Sequence, residues 1–584
     1  MFRTEGPSRS GTGPSRLATN AVTWFGLYAL IVSALEVCAY VFKGVFSIAA
    51  SRVWLLGGVV FLVFSLVKIW STFRRDVGER FFWGIATAFL VAGLMFWRIQ
   101  SLDYALNGEG THQVTVGLRA WMTPDLGYTT CGHFCYPTRQ YLLAALPTRL
   151  FGRQVASVRL GFLWITLLGM LLFYSGLRER LRSVSNGGYL AAMAMLLVLT
   201  FPVVTGWLRF IEQVMIPPSI MLAAVGWFLL SRAEVGPRAA FCLSWIGAMM
   251  ATVYTPGLAG WALVISVLLL TALVRARAGR SREAALLVLA VVIIVSFGAS
   301  SFATRGDVAL KLHQERRGSL GEIGEHVAGA YQHVFFLTGE RDIHDQPFMS
   351  LLFLLPLGAY VAASLLWRNG ATHFVNALWI LGVVGGSCYF AGYAIAPPGV
   401  ELRKALILIP PAVAGTLIVG GELLERTRLS LRKVAGVLFL VLGVTCVWNL
   451  KRVHRDFADS RDRRLMEAVE WSLSVGKEHA VLDTPIDVYV VSAQTDFNLR
   501  DYVEYFFPEM QNFSSDATQC FANFTPTRNA LILYEDNACE SRLNEIRAAH
   551  EDFHALPVKY GLKGFVFTPR GSTPPAPAKS ASGS

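Results

Sequence analysis

Uninterrupted apolar runs recur along almost the whole chain, such as "FFWGIATAFLVAGLMFW" (81–97), and short arginine-bearing connections separate them. A helix needs about 20 mostly apolar residues to cross about 30 Å of hydrocarbon, so this pattern admits few folds in water and one obvious fold in lipid. The runs centre near residues 31, 61, 89, 166, 196, 221, 247, 265, 292, 358, 384, 413 and 441. They predict a polytopic α-helical membrane protein of about thirteen transmembrane helices. Composition agrees. Only 16% of the residues are charged and 54% are hydrophobic, against roughly 25% charged in a soluble domain.

A net charge of +12 raises the question of a nucleic-acid partner, and the distribution of charge argues against one. The arginines sit in short connections: "STFRRDVGER" (71–80), "LRERLRS" (177–183), "SRAEVGPR" (231–238), "RARAGRSRE" (275–283) and "ERTRLSLRK" (425–433). Lys and Arg concentrate in cytoplasmic loops, so these connections are expected inside. Residues 1–20, polar and without a short apolar core, read as a disordered cytoplasmic lead. The membrane domain then covers 21–450. Outer segments are expected at 98–155 and 303–348, and everything beyond 450 falls outside. The resulting expectation is a multi-pass inner-membrane protein with its working face and C-terminal portion in the periplasm.

The C-terminal portion changes character. "HAVLDTP", "DVYVVSA", "NALILYE" and "KGFVFTP" read as short strands and "ESRLNEIRAAHEDF" as a helix. They predict a small soluble α/β or α+β domain over 451–570, followed by a disordered Pro/Ser/Ala-rich tail at 571–584. Four of the eight cysteines fall in outer segments as near pairs, Cys131 with Cys135 and Cys520 with Cys539. Outer compartments are oxidising, so disulfides are expected. The alternative at the first pair, a metal held by both thiolates and His133, is one ligand short of the four that zinc usually takes.

The first outer segment opens with two acids, Asp103 and Glu109, in "SLDYALNGEGTHQ" (101–113), with His112 beside the second. "THQVTVGLRAWMT" and "TRQYLLAALPTRLFG" follow as amphipathic helices. Further along lie Arg209 and Glu212 in "GWLRFIEQVMIPP", Lys311 and Arg316 in "ALKLHQERRGS", and Arg403 with Lys404 in "ELRKALILIPPAVAG". Each has an ordinary alternative: solvated loop acids for the first two, a helix-face ion pair for Arg209 and Glu212, and lipid-headgroup contacts for the basic residues.

An acid at the outer end of an early span, an amphipathic helix, a Tyr/Pro-containing piece ending in Leu-Phe-Gly, and a helix opening "ASVRLGFLWITLLGMLLF" occur here in that order. The order resembles the GT-C class of integral-membrane glycosyltransferases, which use polyprenyl-phosphate sugars. The protein O-mannosyltransferase and aminoarabinose-transferase group is the most similar. "ELRKALILIPPAVAG" is similar to the Arg-plus-proline helix that this class places near the lipid phosphate. Two departures stand out: a single acid in "NGEG" where an acidic cluster is usual, and two additional helices before the catalytic loop.

The resemblance implies sugar transfer from a polyprenyl-phosphate donor to a hydroxyl of a glycan, lipid or protein acceptor. Such a reaction needs a carboxylate to take the hydroxyl proton, for which Glu109 is the first candidate and Asp103 the reserve. It also needs positive charge against the departing phosphate, for which Arg403 and Lys404 stand first, with His112, Arg209, Lys311 and Arg316 as further substrate-binding candidates. Glu109 and Glu212 are the carboxylates expected to hold Mg or Mn, if metal is used. Other classes remain open: a transporter using the intramembrane Glu36 and Lys68, an O-antigen polymerase or ligase working through 303–348, and a non-catalytic protein whose outer domain binds a partner.

Overall fold

The structure is a computed structural model. It describes residues 16–42, 45–100, 108–122, 129–131, 135–201, 204–206, 208, 215–231, 234–252, 256–314, 406–407, 409–427, 430–458, 487–491, 505, 530–534, 541, 544–545, 548, 553–559 and 562–567. Helices α1 (Arg16–Phe42), α2 (Val45–Gly78) and α3 (Trp83–Phe96) lead to α4 (Gly108–Met122) and a hairpin of β1 (Thr129–Cys131) and β2 (Cys135–Pro137). Next come α5 (Thr138–Phe151), α6 (Val155–Arg180), α7 (Gly187–Thr200), α8 (Ile216–Leu230), α9 (Pro237–Ala251), α10 (Pro256–Arg277) and α11 (Ser281–Gln314). Two further helices, α12 (Ile409–Thr427) and α13 (Ala435–Ala458), precede strands β3 (Asp487–Val491), β4 (Ala530–Tyr534), β5 (Phe553–Lys559) and β6 (Leu562–Phe567).

Among the described residues, α1, α2, α6, α10, α11 and α13 contain stretches long and apolar enough to cross a membrane. Helices α3, α7 and α8 are equally apolar but have only 14, 14 and 15 residues, or about 21–23 Å at 1.5 Å per residue. The runs near 358 and 384 lie outside the described residues. So do the tail, the strand reading "HAVLDTP", and residues 1–15 of the lead.

The burial pattern of α2 is that of a helix in lipid. Its exposed stripe is Leu56, Val59, Val63 and Trp70, while Trp54, Gly57, Phe61, Ser65, Thr72 and Asp76 point inward. Ser65, Thr72 and Asp76 inside with Trp54 and Phe61, and a wholly apolar stripe outside, differ from the polar outer face required in water. The most extensive helix seam among the described residues joins α6 to α8. A Cβ on Gly176 would lie 2.4 Å from the Gly226 carbonyl oxygen, and one on Gly226 would lie 2.4 Å from that of Leu172. One register up, Thr166 Oγ1 and Ser219 Oγ share a 2.7 Å hydrogen bond. Lipid tails supply no hydrophobic drive between helices, so close backbone contact of this kind holds them together.

Several boundaries differ from the sequence reading. Helix α1 already begins at Arg16, inside the stretch read as a disordered lead, because the apolar helix propagates back through good helix formers. Helix α11 runs on to Gln314, taking the first residues of the segment expected as a loop from 303. Helix α13 likewise passes residue 450 and ends at Ala458. In the C-terminal portion the strands form one sheet in the order β3-β4-β6-β5, parallel between β3 and β4 and antiparallel elsewhere. Strand β5 starts at Phe553, the last residue of the stretch read as a helix. Its Pro557 hides the strand signal, and the edge position and the irregularity between Leu556 and Lys559 accommodate it.

Gly226→Leu is expected to force α6 and α8 apart. Overpacking costs about 1–3 kcal/mol where side chains can shift, and more here because the opposing atoms are backbone. Thermal unfolding of purified protein should show a clear drop in midpoint, whereas Gly436→Leu, where a Cβ meets nothing, should leave it unchanged.

Candidate functional site

The two expected amphipathic helices are present, and together they build the end of the bundle opposite the arginine-rich connections. Helix α3 ends at Phe96, Trp97 caps it, and Arg98 takes a left-handed φ of 54° that turns the chain off the helix axis. This conformation is unusual for a residue with a Cβ and costs about 1 kcal/mol or more. Arg159, fully buried in the second turn of α6, donates to the carbonyl of Ile99 at 2.7 Å and so holds the strained exit in place. Gln100 adds a 3.2 Å bond to Gln154 at the start of the same helix. The chain carrying Asp103 and Glu109 is thus anchored where it leaves the bundle.

Helix α4 is anchored just as firmly. Gly117 permits backbone contact with α5, where a Cβ would lie 2.1 Å from the Tyr141 carbonyl oxygen. Trp121 Nε1 donates to the Leu142 carbonyl at 3.1 Å, and the Arg149 guanidinium stacks over the Trp121 ring. Gly161 repeats the arrangement between α6 and α5, with 2.1 Å to the Ala144 carbonyl oxygen. An interfacial helix should leave one polar face in water. Helix α4 instead buries Thr111, Gln113 and Thr115 together with Val114, Val116 and Ala120, leaving His112 and Arg119 exposed. The helix is therefore enclosed and not merely adsorbed. Gln113 Oε1 and Thr115 Oγ1 are buried without a hydrogen-bond partner among the described residues, the condition in which polar groups call for water or a ligand.

One ion pair fixes this assembly to the first span. Arg139, in the first turn of α5, meets Glu36 of α1 through two parallel bonds of 2.6 and 3.1 Å, with both side chains almost wholly buried. The guanidinium also lies over the Phe297 ring of α11, and Ser33 and Ser296 bond at 3.1 Å nearby. Sequence reasoning weighed Glu36 only as a transporter residue and passed over Arg139. The available signal was that an acid within an apolar run demands a cation from elsewhere.

The far C-terminal portion also reaches this end. Tyr505 is fully buried against the α5–α6 junction. Its hydroxyl donates to the Gln154 carbonyl and shares a hydrogen with Thr148 Oγ1, both at 3.2 Å, while Arg153 Nη1 donates to the Tyr505 carbonyl at 2.6 Å. Burial pushes the phenol up to about 12, so it remains a donor at any physiological pH.

Of the residues singled out in the sequence, Glu109 lies in the first turn of α4 and His112 one turn along. Lys311 is carried on the last turns of α11. Cys131 and Cys135 are directly opposed in the β1–β2 pairing. Asp103, Arg209, Glu212, Arg316, Arg403, Lys404, Cys520 and Cys539 lie outside the described residues. Among the described residues no group of three or more His, Cys, Asp or Glu side chains stands ready to hold a metal.

A multi-pass helical bundle with an enclosed, polar helix pair at one end is the class that fold and site define together. No protein-family model matches the chain, and no curated protein sequence does. The solved structures do: the apo crystal structure of ArnT from Cupriavidus metallidurans superposes with a TM-score of 0.50 at 15% identity, covering 82% of this chain and 97% of ArnT. The structure of ArnT bound to undecaprenyl phosphate gives 0.47 at 13% identity, covering 83% of this chain and 98% of that one. The chain therefore shares the fold of ArnT over most of its length.

Neutralising one member of the buried pair, by Glu36→Gln or Arg139→Met, should cost about 3–5 kcal/mol, since the remaining charge is left buried without its partner. The double substitution should recover much of that loss. Unfolding midpoints of the three variants against the unaltered protein measure this coupling.

Proposed function

We propose that the protein is a membrane glycosyltransferase that moves a sugar from a polyprenyl-phosphate donor to an acceptor hydroxyl on the extracytoplasmic face. The observation that carries this reading is α4: Glu109 opens a helix that is locked to α5 and α6 through glycine contacts and buries unpartnered Gln113 and Thr115, within an ArnT-like fold. Unpartnered amide and hydroxyl groups suit a hydroxyl-rich sugar, and a rigid mounting suits a residue that must meet a reacting atom within hydrogen-bond reach.

In the proposed reaction Glu109 accepts the proton of the acceptor hydroxyl as its oxygen attacks the anomeric carbon. The bond from that carbon to the donor phosphate oxygen breaks, and the lipid phosphate leaves with the electron pair. Arg403 and Lys404 neutralise the charge gathering on the phosphate, a role that fixed cations fill well in a water-poor site. His112 and Arg209 are assigned to substrate binding, Lys311 and Arg316 to the phosphate, and Asp103 is the reserve base. Glu109 and Glu212 would hold Mg or Mn, which would supply further positive charge, and no step above runs through a metal. The Glu36–Arg139 pair favours this reading over transport, because Glu36 is already neutralised by a bidentate partner.

With a synthetic polyprenyl-phosphate sugar as donor, Glu109→Gln is expected to lower turnover by about 100-fold or more, with folding intact. Turnover retained in that variant removes Glu109 as base, and loss confined to Asp103→Asn moves the role there. Arg403→Ala should weaken donor binding by more than it weakens acceptor binding; equal losses overturn the phosphate assignment.

The outward placement of 98–155 and of the C-terminal portion implies disulfides Cys131–Cys135 and Cys520–Cys539. Peptide mapping without reductant should recover both links. Free thiols at all four positions would place these segments on the reducing side of the membrane.

A further inference from the structure

The arginine-rich end of the bundle contains a cavity of about 1010 Å³ between the ends of α2, α6, α8, α10 and α11. Lys68, Arg75, Arg180, Arg275 and Arg280 line it, with Glu179 as the acid among its lining residues. Arg275 and Arg280 are engaged by Glu283 at 3.4 and 3.5 Å. The other three cations have capacity to spare. Arg75 bonds Glu179 through Nη1 at 2.5 Å, leaving its buried Nε and Nη2 without a partner among the described residues, and Nε of Arg180 is in the same state. The Lys68 side chain is exposed and is paired with no carboxylate among the described residues.

Guanidinium nitrogens that are buried, charged and lacking acceptors are costly unless an anion meets them. The remaining lining combines the hydroxyls of Ser71, Thr72, Ser231 and Thr271 with an apolar part. In the apolar part, Leu270 sits five residues before Arg275 on α10, about 7.5 Å along the helix, and Phe228 and Leu287 also line the cavity. Leu270 and Val274 also belong to the exposed apolar face of α10, so the cavity is continuous with the surface that meets hydrocarbon. Cations beside an apolar slot open to lipid form a receptor for an anionic amphiphile, and basic pockets between helices on the cytoplasmic side have this character.

We propose that this cavity is a second ligand site, which binds the phosphate headgroup of an anionic lipid from the cytoplasmic leaflet. Lys68, Arg75 and Arg180 contact the phosphate, and the acyl chains lie along Phe228, Leu270 and Val274. The site is at the opposite end of the bundle from α4 and does not depend on the proposed transferase reaction.

The full-length protein, delipidated in detergent and titrated with dioleoylphosphatidylglycerol or dioleoylphosphatidylcholine, provides the test by native mass spectrometry. Phosphatidylglycerol should be retained at least about ten-fold more tightly than phosphatidylcholine. Lys68→Gln, an exposed substitution, should weaken it about five-fold, and Lys68→Gln with Arg75→Gln about 25-fold. Arg432→Gln, a basic residue at the same end but outside the cavity lining, should have no effect. Equal retention of both lipids, or undiminished phosphatidylglycerol binding in the Lys68 and Arg75 variants, overturns the proposal. If inorganic phosphate protects the protein from thermal unfolding and phosphatidylglycerol does not, the ligand is a soluble phosphate and the lipid assignment fails.

Discussion

Arg139 and Glu36 meet where neither charge has water to fall back on, and the arrangement around α4 follows from that contact. A lone acid in the first span would be expelled toward the surface or protonated, and a lone arginine at the start of α5 would stay at the headgroups. Joined by two bonds and roofed by Phe297, they draw the α4–α5 pair into the bundle. Helix α5 then offers its backbone to Gly117 of α4 and Gly161 of α6. Glycine contacts of this kind are stiff because no side chain lies between the helices to rotate.

The two ends of the bundle handle charge differently. At the arginine-rich end Asp76 is buried between Tyr174 and Arg178, and Arg178 also reaches Glu79 and stacks on Phe81. Most cations there are answered by carboxylates on neighbouring helices, Arg180 with Glu422 among them. At the other end the buried charges are the Glu36–Arg139 pair and Arg159, and around them lie neutral amides and hydroxyls, of which Gln113 Oε1 and Thr115 Oγ1 find no partner among the described residues. A closed ionic network suits a structural latch. Unfilled neutral donors and acceptors suit a place where something hydroxylated is received and released.

The apolar runs made the membrane architecture legible, since length and composition alone decide whether a helix can cross lipid. The helices over 108–122 and 138–151 were legible too, through the spacing of Val114, Leu118 and Trp121 and the turn residues between them. The long-range pairings were not. Nothing near Glu36 names Arg139 as its partner, and nothing near Arg159 shows that it will hold the carbonyl of Ile99. Such pairings depend on which helix faces which, and that is set by Gly117, Gly161 and Gly226, which look unremarkable in the sequence. Strand β5 was hidden for a local reason: Pro557 breaks the strand pattern, and only its place at the sheet edge makes it tolerable.

Tyr505 lies more than 350 positions downstream of the junction it fills between α5 and α6. A ribosome delivers α5 and α6 to the membrane long before it reaches that tyrosine. During this interval Thr148, Arg153 and the Gln154 carbonyl lack the contacts that Tyr505 supplies. The junction is therefore sealed as a closing act of biogenesis, and a chain released prematurely would carry an inserted bundle whose α5–α6 corner was never shut.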